Sequence, residues 1–380
     1  MRIAMVTDSY YPTRDGVVTS ITITKEALEK QGHDVVVVAP DPGPKDRLPG
    51  VLYIKSIKFK SYQGYYIPIF PSRTARRLSE MGIDIIHIHG IAVMALRGWL
   101  FSKQIGVPVV LTFHTMVGDV LDYYSPLSID RGLQEKVAWK YIAWMLKKMD
   151  AVIVPTPGIG RELCGRSHPK RVVTIPTGTD IRRFNPNVGE NGLKERYGVK
   201  GRMVSQVGRL SFEKNIDVII RAMHDVDATL FIAGSGPASD QLKQVAESEG
   251  LSDRVIFAGF IGDAELPSVY AASDVVVSAS EFETQGLSIL EAMASGVPVA
   301  CRNARAFKDI IRDGENGCLF DAPEGCAEAI NRCLNDDGTL ARGALATAEE
   351  FSEENSVRKL LDLYSELVNG ARNEHREPSL

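Results

Sequence analysis

Two cations and two carboxylates in the second half of this chain have the types and spacing to hold an anionic, hydroxyl-bearing ligand. Arg209 and Lys214 stand five residues apart in Val207-Gly208-Arg209-Leu210-Ser211-Phe212-Glu213-Lys214-Asn215. Cations at the carboxyl end of a buried parallel strand project into the crevice where α/β sheets take ligands, and there they would neutralise a departing diphosphate. Glu283 and Glu291 are eight apart; on a helix that is just over two turns, and both carboxylates point in roughly the same direction. Such carboxylates suit the vicinal hydroxyls of a sugar and a ribose. Thr284-Gln285-Gly286-Leu287 follows an apolar run and opens a helix, so its backbone N–H groups could receive a phosphate. Taken singly, each pair reads first as solvated surface charge; it is their company that favours a site.

Weaker signals accompany them. Ala233-Gly234-Ser235-Gly236-Pro237 ends another apolar run, with Gly234 and Gly236 permitting close backbone approach. It lacks the third glycine of the dinucleotide fingerprint, which argues against a nicotinamide cofactor. In the first half, Gly16 within Asp15-Gly16-Val17-Val18-Thr19-Ser20 could bring backbone N–H groups to a phosphate or sugar, or could be an ordinary βα turn. His114 closes Thr112-Phe113-His114-Thr115 at the mouth of a sheet, a place where a histidine is structural unless an opposite domain supplies a substrate. His87 and His89 share one face of a strand, and no third ligand has zinc-like spacing, so neither a metal nor another cofactor is expected.

The elements that must position these residues are legible as Val- and Ile-rich runs. In the first half they are Arg2–Thr7, Val35–Ala39, Ile83–His89 and Val107–Phe113, with a helix around Ser20–Gln31. The second half repeats the pattern with Met203–Val207, Thr229–Ala233, Arg254–Ala258, Asp274–Ser278, Pro298–Cys301 and Gly317–Phe320. Helical stretches at Ile216–Met223 and Asp240–Glu249 separate some of these runs. Nearly continuous apolar strands are expected where helices cover both faces of a parallel sheet. The chain therefore reads as α/β, with two Rossmann-like domains facing across a cleft. Residues 1–184 form the first domain and 185–351 the second. The Pro-, Gly- and Asn-rich passage Pro176–Pro186 is the hinge. An amphipathic helix within 352–370 is expected to pack back onto the first domain.

Size and composition agree: 380 residues suit two cores, and 44% hydrophobic with 24% charged residues is globular. No apolar stretch of about 18 residues could span a bilayer. The amino-terminal run turns polar at Asp8, reading as a first buried strand and not as a signal peptide, which points to a cytoplasmic location. Five cysteines without a C-x-x-C pair read as free thiols.

Together these segments resemble the family 4 glycosyltransferases of the GT-B fold. The most specific part is the Glu-x7-Glu segment ending in Glu291-Ala292-Met293-Ala294-Ser295-Gly296-Val297-Pro298-Val299. Gly208-Arg209, Glu213-Lys214-Asn215 and Gly234-Ser235-Gly236-Pro237 add to it. The resemblance implies that residues 1–184 bind the acceptor and 185–351 the donor, that Arg209 and Lys214 hold the donor pyrophosphate and that Glu291 binds the ribose. It also implies that Glu283 holds donor-sugar hydroxyls, helped by backbone groups of Thr284, Gln285, Gly286 and Leu287, that His114 lies beside the anomeric centre, and that Phe260 is in the loop meeting the base. Retaining transfer without a metal is implied. Two departures, Gly16-Val17 for the common Gly-Gly and Gln285-Gly286 for Phe-Gly, look like the membrane-lipid glucosyltransferases, which favours UDP-glucose.

Charge bears on the acceptor. Residues 1–184 carry 25 basic and 16 acidic side chains, net +9, against 19 and 32, net −13, in residues 185–380. Such a split suits an anionic partner for the first half, or drift between two domains. Lys55, Lys58, Lys60, Arg73, Arg76 and Arg77 lie among aromatics, with no acidic residue from Val51 to Ser79, a pattern expected of a peripheral protein on an anionic membrane surface. Trp139 and Trp144, mixed with lysines in Lys136–Lys148, are a further candidate surface, or the buried stripe of an ordinary helix. A lipid acceptor is thus favoured over a soluble or polymeric sugar acceptor. Nucleic acid and a non-catalytic anion-binding module are the weakest readings.

Overall fold

The computed structural model describes residues 1–13, 15–58, 66–69, 73–114 and 131–374. The chain divides into two compact units, Met1–Gly178 with Glu353–Leu380, and Thr179–Ser352. The change of unit falls earlier than the sequence boundary after Phe184. That residue is buried in the second unit's core, edge-on to Tyr270 with ring centroids 5.6 Å apart, and it carries Thr179–Phe184 with it.

In the first unit the strands are β1 (Arg2–Thr7), β2 (Asp34–Pro40), β3 (Val51–Ile54), β4 (Ser56–Lys58), β5 (Tyr66–Pro68), β6 (Ile85–His89), β7 (Val109–Thr112), β8 (Ala151–Val154) and β9 (Val172–Thr174). Seven of them form a parallel sheet in the order β3-β2-β1-β6-β7-β8-β9, while β4 and β5 pair antiparallel. Successive residues alternate between two cores, as strand geometry requires. Ala4, Val6, Ile86, Ile88 and Leu111 face one side, with Met94 and Phe101 of the helix Val93–Ile105. Ile3, Met5, Ile85 and Val110 face the other, with Ile21 and Leu28 of the helix Gly16–Lys30.

That second face is completed by the end of the chain. Val357, Leu360, Leu363, Tyr364 and Val368 of the helix Glu353–Glu374 are buried in it at helical spacing. Each such side chain contributes roughly 1.5–3 kcal/mol on burial. Gly178 is where the first unit meets the start of this helix: a Cβ there would lie 2.4 Å from the Glu353 Cα, so only glycine fits.

The second unit holds β10 (Met203–Val207), β11 (Thr229–Ala233), β12 (Val255–Gly259), β13 (Val275–Ser278), β14 (Val299–Arg302) and β15 (Cys318–Phe320), all parallel, in the order β12-β11-β10-β13-β14-β15. In both sheets the order reverses beside the first strand. Such a reversal opens a crevice outside the carboxyl ends of β1 and β6, and of β10 and β13. The cysteines are all free, with Cys164 exposed and the other four buried. Among the described residues no helix is long and apolar enough to cross a membrane.

Candidate active site

The carboxyl end of β10 delivers the two cations. Gly208 takes φ +141° as the strand ends, Arg209 is exposed, and a single 3-10 turn, Phe212–Lys214, closes at Asn215 with φ +49°. That turn aims Lys214 across the strand reversal onto Glu283, in the loop after β13, where Nζ pairs with Oε1. The pair is three-quarters buried, so each charge is largely neutralised by the other. A phosphate for Lys214 and a hydroxyl for Glu283 are the groups that would replace that mutual contact on binding.

Glu283 is not on a helix, which corrects the periodicity argument. The helix runs over Leu287–Ala294 and starts behind Gly286, at φ +82°, a left-handed residue that breaks helical phase. A Cβ on Gly286 would also stand 2.5 Å from the Phe307 ring. Glu283 and Glu291 therefore take different partners: Glu283 holds Lys214, whereas Glu291 accepts a 2.6 Å hydrogen bond from the Tyr270 hydroxyl. The first intrahelical bonds run from Ile289 and Leu290 to the Gly286 carbonyl, so the N–H groups of Leu287 and Ser288 stand ahead of the ladder at the positive end of the helix dipole. Thr284 is half-buried and Gln285 buried beside them.

Burial pushes the Glu291 carboxyl up to about 7, against the lowering effects of the Tyr270 hydrogen bond and the nearby Arg183; Asp263 raises it further. Phe260, 59% exposed, follows β12, and Phe212 and Phe282 are also exposed on the loops after β10 and β13.

The close backbone approach expected of Gly234 and Gly236 is made within the unit itself. A Cβ on Gly234 would stand 1.8 Å from the Gly208 carbonyl oxygen, and one on Gly236 2.3 Å from that of Leu210. Their backbone approaches the neighbouring loop of the same unit, and that packing alone demands glycine. Gly16 is the reverse case: it opens the helix Gly16–Lys30 with nothing within 4 Å of a Cβ, while the Asp15 carboxylate caps the helix by accepting from the Val18 N–H at 2.9 Å.

In the first unit the strand ends gather three histidines. His89 Nδ1 lies 3.0 Å from His114 Nε2 with the rings stacked, and the His87 ring stands 4.0 Å from that of His89. His87 is held by the Thr112 hydroxyl at 2.6 Å and the Tyr364 hydroxyl at 2.5 Å. Burial, reinforced for His87 and His89 by neighbouring imidazoles, drives their ionisation down, to about 3 for His87 and about 4 for His114, and well below the ordinary value for His89. All three are neutral near pH 7. Among the described residues the buried Nε2 of His89 has no partner. An unpaired lone pair is more readily buried than an unpaired N–H, so His89 donates from Nδ1 and His114 carries its proton on Nδ1.

Sequence reasoning missed Asp8, Tyr270 and Tyr364. Asp8 follows β1 and accepts from the N–H groups of Ala92 and Met94 at 3.1 and 2.8 Å, at the start of the helix Val93–Ile105 that follows β6. Burial lifts its carboxyl to about 6. A polar residue closing an apolar strand was the available signal. Among the described residues no group of three or more His, Cys, Asp or Glu could hold a metal ion.

The basic segment is partly described. Lys55, Lys58, Arg73, Arg76 and Arg77 are exposed, and Ile57, Ile67 and Ile69 on and beside the β4–β5 hairpin expose apolar surface with them. Lys60 lies outside the described residues. Trp144 is 43% exposed, with Lys148 5.6 Å over its ring. Trp139, for which the sequence left surface and buried stripe both open, packs partly buried on the first unit's core beneath the Arg166 guanidinium, because the helix Arg131–Leu146 turns that position inward.

Residues 14–183 match the model of Glycosyltransferase Family 4, and residues 194–353 that of Glycosyl transferases group 1. The α-monoglucosyldiacylglycerol synthase of Acholeplasma laidlawii is 29% identical over 97% of this chain and 98% of its own. A GDP-mannose-dependent α-mannosyltransferase of Mycolicibacterium smegmatis is 29% identical over 84% of each chain. Among solved structures, sucrose-phosphate synthase from Thermosynechococcus elongatus superposes with a TM-score of 0.79 at 22% identity, covering 97% of this chain and 99% of that one. Matched in this way through both units, on two strand-reversed parallel sheets, the protein belongs to the family 4 glycosyltransferases and has the GT-B fold.

Proposed function

We propose that this glycosyltransferase moves a hexose from a nucleoside-diphosphate sugar, UDP-glucose being favoured, to the hydroxyl of a membrane lipid of the diacylglycerol type, acting peripherally on the inner face of the cell membrane. The observation that carries the donor half is the Lys214–Glu283 pair at the β10–β13 reversal, a cation and a carboxylate poised for a phosphate and a sugar hydroxyl. Arg209, Lys214 and the N–H groups of Leu287 and Ser288 take the diphosphate, Glu283 the donor sugar, Glu291 the ribose, and His114 acts at the reacting centre. The bond from the anomeric carbon to phosphate oxygen breaks and the acceptor oxygen bonds to the same face of that carbon. Its proton leaves with the diphosphate. Configuration is retained, and no metal is needed because the protein's own cations and dipoles absorb the leaving charge.

The lipid acceptor is supported by the glucosyldiacylglycerol synthase relative and by five exposed cations beside exposed isoleucines. Each cation near an anionic leaflet contributes about 1 kcal/mol. The mannosyltransferase relative supports the donor of a second reading, GDP-mannose, in which the acceptor is a soluble or polymeric sugar. Labelled UDP-glucose and GDP-mannose, each offered with diacylglycerol in phosphatidylglycerol vesicles, separate the two. Label from UDP-glucose entering the organic phase, with the protein sedimenting on vesicles at low salt and leaving them at high salt, is expected. Transfer that needs no lipid, by a protein that stays in the low-salt supernatant, contradicts the lipid reading.

The ribose contact adds a pH dependence. Ribose hydroxyls donate to the carboxylate, so binding favours the ionised form of a group that titrates near 7 in the ligand-free protein. Nucleotide affinity should accordingly fall below about pH 7, approaching tenfold per pH unit for one coupled proton. Titration calorimetry of Glu291→Gln should show weaker and nearly flat affinity; an unchanged slope removes Glu291 from this role.

A further inference from the structure

We infer that Tyr270 is a positioning residue for nucleoside recognition: its hydroxyl ties one oxygen of Glu291 and thereby aims the other at the ribose hydroxyls. The inference rests on the ribose-binding reading of Glu291 proposed above and names the residue that makes that reading specific.

Tyr270 sits in the helix Leu266–Ala272, fully buried, its ring edge-on to Phe184 and packed in one core with Ile289, Leu290 and Met293. A ring enclosed on this scale cannot swing, so its hydroxyl is a fixed point. It donates to Glu291 Oε2 at 2.6 Å. Among the described residues no other group donates to this carboxylate, which can accept about four hydrogen bonds. One oxygen is anchored, then, and the second is left for a ligand.

Glu291 itself lies on the face of the helix Leu287–Ala294 adjoining that core, so without the anchor its terminal torsion has two broad wells and no reason to prefer either. The groups facing it are Tyr270, Arg183 and Asp263. Arg183 is exposed and donates to the Asp263 carbonyl, and so supplies charge without fixing an orientation. Burial and the adjoining carboxylate hold the Tyr270 phenol well above its ordinary ionisation, so it remains a donor throughout the working pH range. A buried tyrosine needing only satisfaction could use a backbone carbonyl. This one spends its hydrogen bond on the one carboxylate of the helix.

The test compares each nucleotide with its own 2′,3′-dideoxy form, using UDP and GDP, by calorimetry on wild type, Tyr270→Phe and Glu291→Gln. Two hydroxyl donors to a charged acceptor should give the wild type a preference for the ribose form on the order of a hundredfold. Phenylalanine keeps the packing and removes only the hydroxyl. In Tyr270→Phe the preference should shrink to roughly tenfold, one charged hydrogen bond's worth, while the dideoxy affinity stays at the wild-type value. An intact preference in Tyr270→Phe, with a diminished one in Glu291→Gln, overturns the inference and leaves the ribose reading standing. An equal loss for both nucleotide forms in Tyr270→Phe makes Tyr270 a packing residue only and overturns it too. An intact preference in Glu291→Gln sinks the ribose reading itself.

Discussion

Arg209→Ala is expected to lower kcat at saturating donor by roughly a hundredfold or more, the loss of one oxyanion donor worth on the order of 3 kcal/mol. Charge accumulates on the diphosphate as the anomeric bond breaks, so an interaction with it strengthens from ground state to transition state and appears in kcat. Arg209 is exposed at the carboxyl end of β10, and its removal leaves the core beneath untouched. Melting temperature should therefore stay near that of the wild type. Lys214 offers the contrast: its removal strands Glu283 about three-quarters buried without its cation, so Lys214→Met should lose stability as well as rate. Steady-state kinetics at several donor concentrations decide the matter. An unchanged kcat in Arg209→Ala takes Arg209 out of the leaving-group site.

Gly234→Ala is expected to destabilise the second unit by about 3 kcal/mol or more, seen as a fall in melting temperature on the order of 10 °C. Its backbone has φ +149°, where L side chains are strained, and the new methyl would meet the Gly208 carbonyl oxygen at 1.8 Å. Neither partner can yield without moving a strand end, because the Gly208 N–H is itself bonded to the Ala233 carbonyl and the Gly234 N–H to that of Gly259. The same change at Gly16 should behave oppositely. There the space is open, and alanine at a compatible helical position gains about 0.4–1 kcal/mol from the unfolded state. If Gly16→Ala keeps or raises stability yet loses activity, close ligand approach is what requires glycine at that turn. A stable Gly234→Ala protein would contradict the packing account.

The sheets were legible because a strand covered on both faces is apolar at nearly every position, and Met203–Val207 and Thr229–Ala233 agree with the structure residue for residue. Val51–Ile54, Ala151–Val154 and Val172–Thr174 were not foreseen. They are only four, four and three residues long, and β3 and β9 are edges, where one neighbour suffices and the apolar signal thins. Within the site, residue types were visible but their pairings were not. Glu283 and Glu291 looked like one helical face until Gly286 interrupted it, and nothing in local spacing joins Lys214 to Glu283 or Tyr270 to Glu291. The first contact exists because the sheet order brings β10 beside β13, and the second because the helices Leu266–Ala272 and Leu287–Ala294 on either side of β13 share one core, both tertiary facts. The glycines of Gly234-Ser235-Gly236 add a requirement that local spacing does not show, the chain's own packing against Gly208 and Leu210.

The central claim, a nucleoside-diphosphate site at the β10–β13 reversal, is tested most directly by thermal unfolding with UDP, GDP, ADP and their common sugar conjugates at millimolar concentration. A ligand at about 100 times its Kd stabilises the fold by roughly 2.7 kcal/mol. The account predicts a rise with one nucleotide, most strongly UDP, that is lost in Arg209→Ala and Glu291→Gln. No rise with any of them in the presence of anionic vesicles, or a rise equally large in both variants, would contradict it.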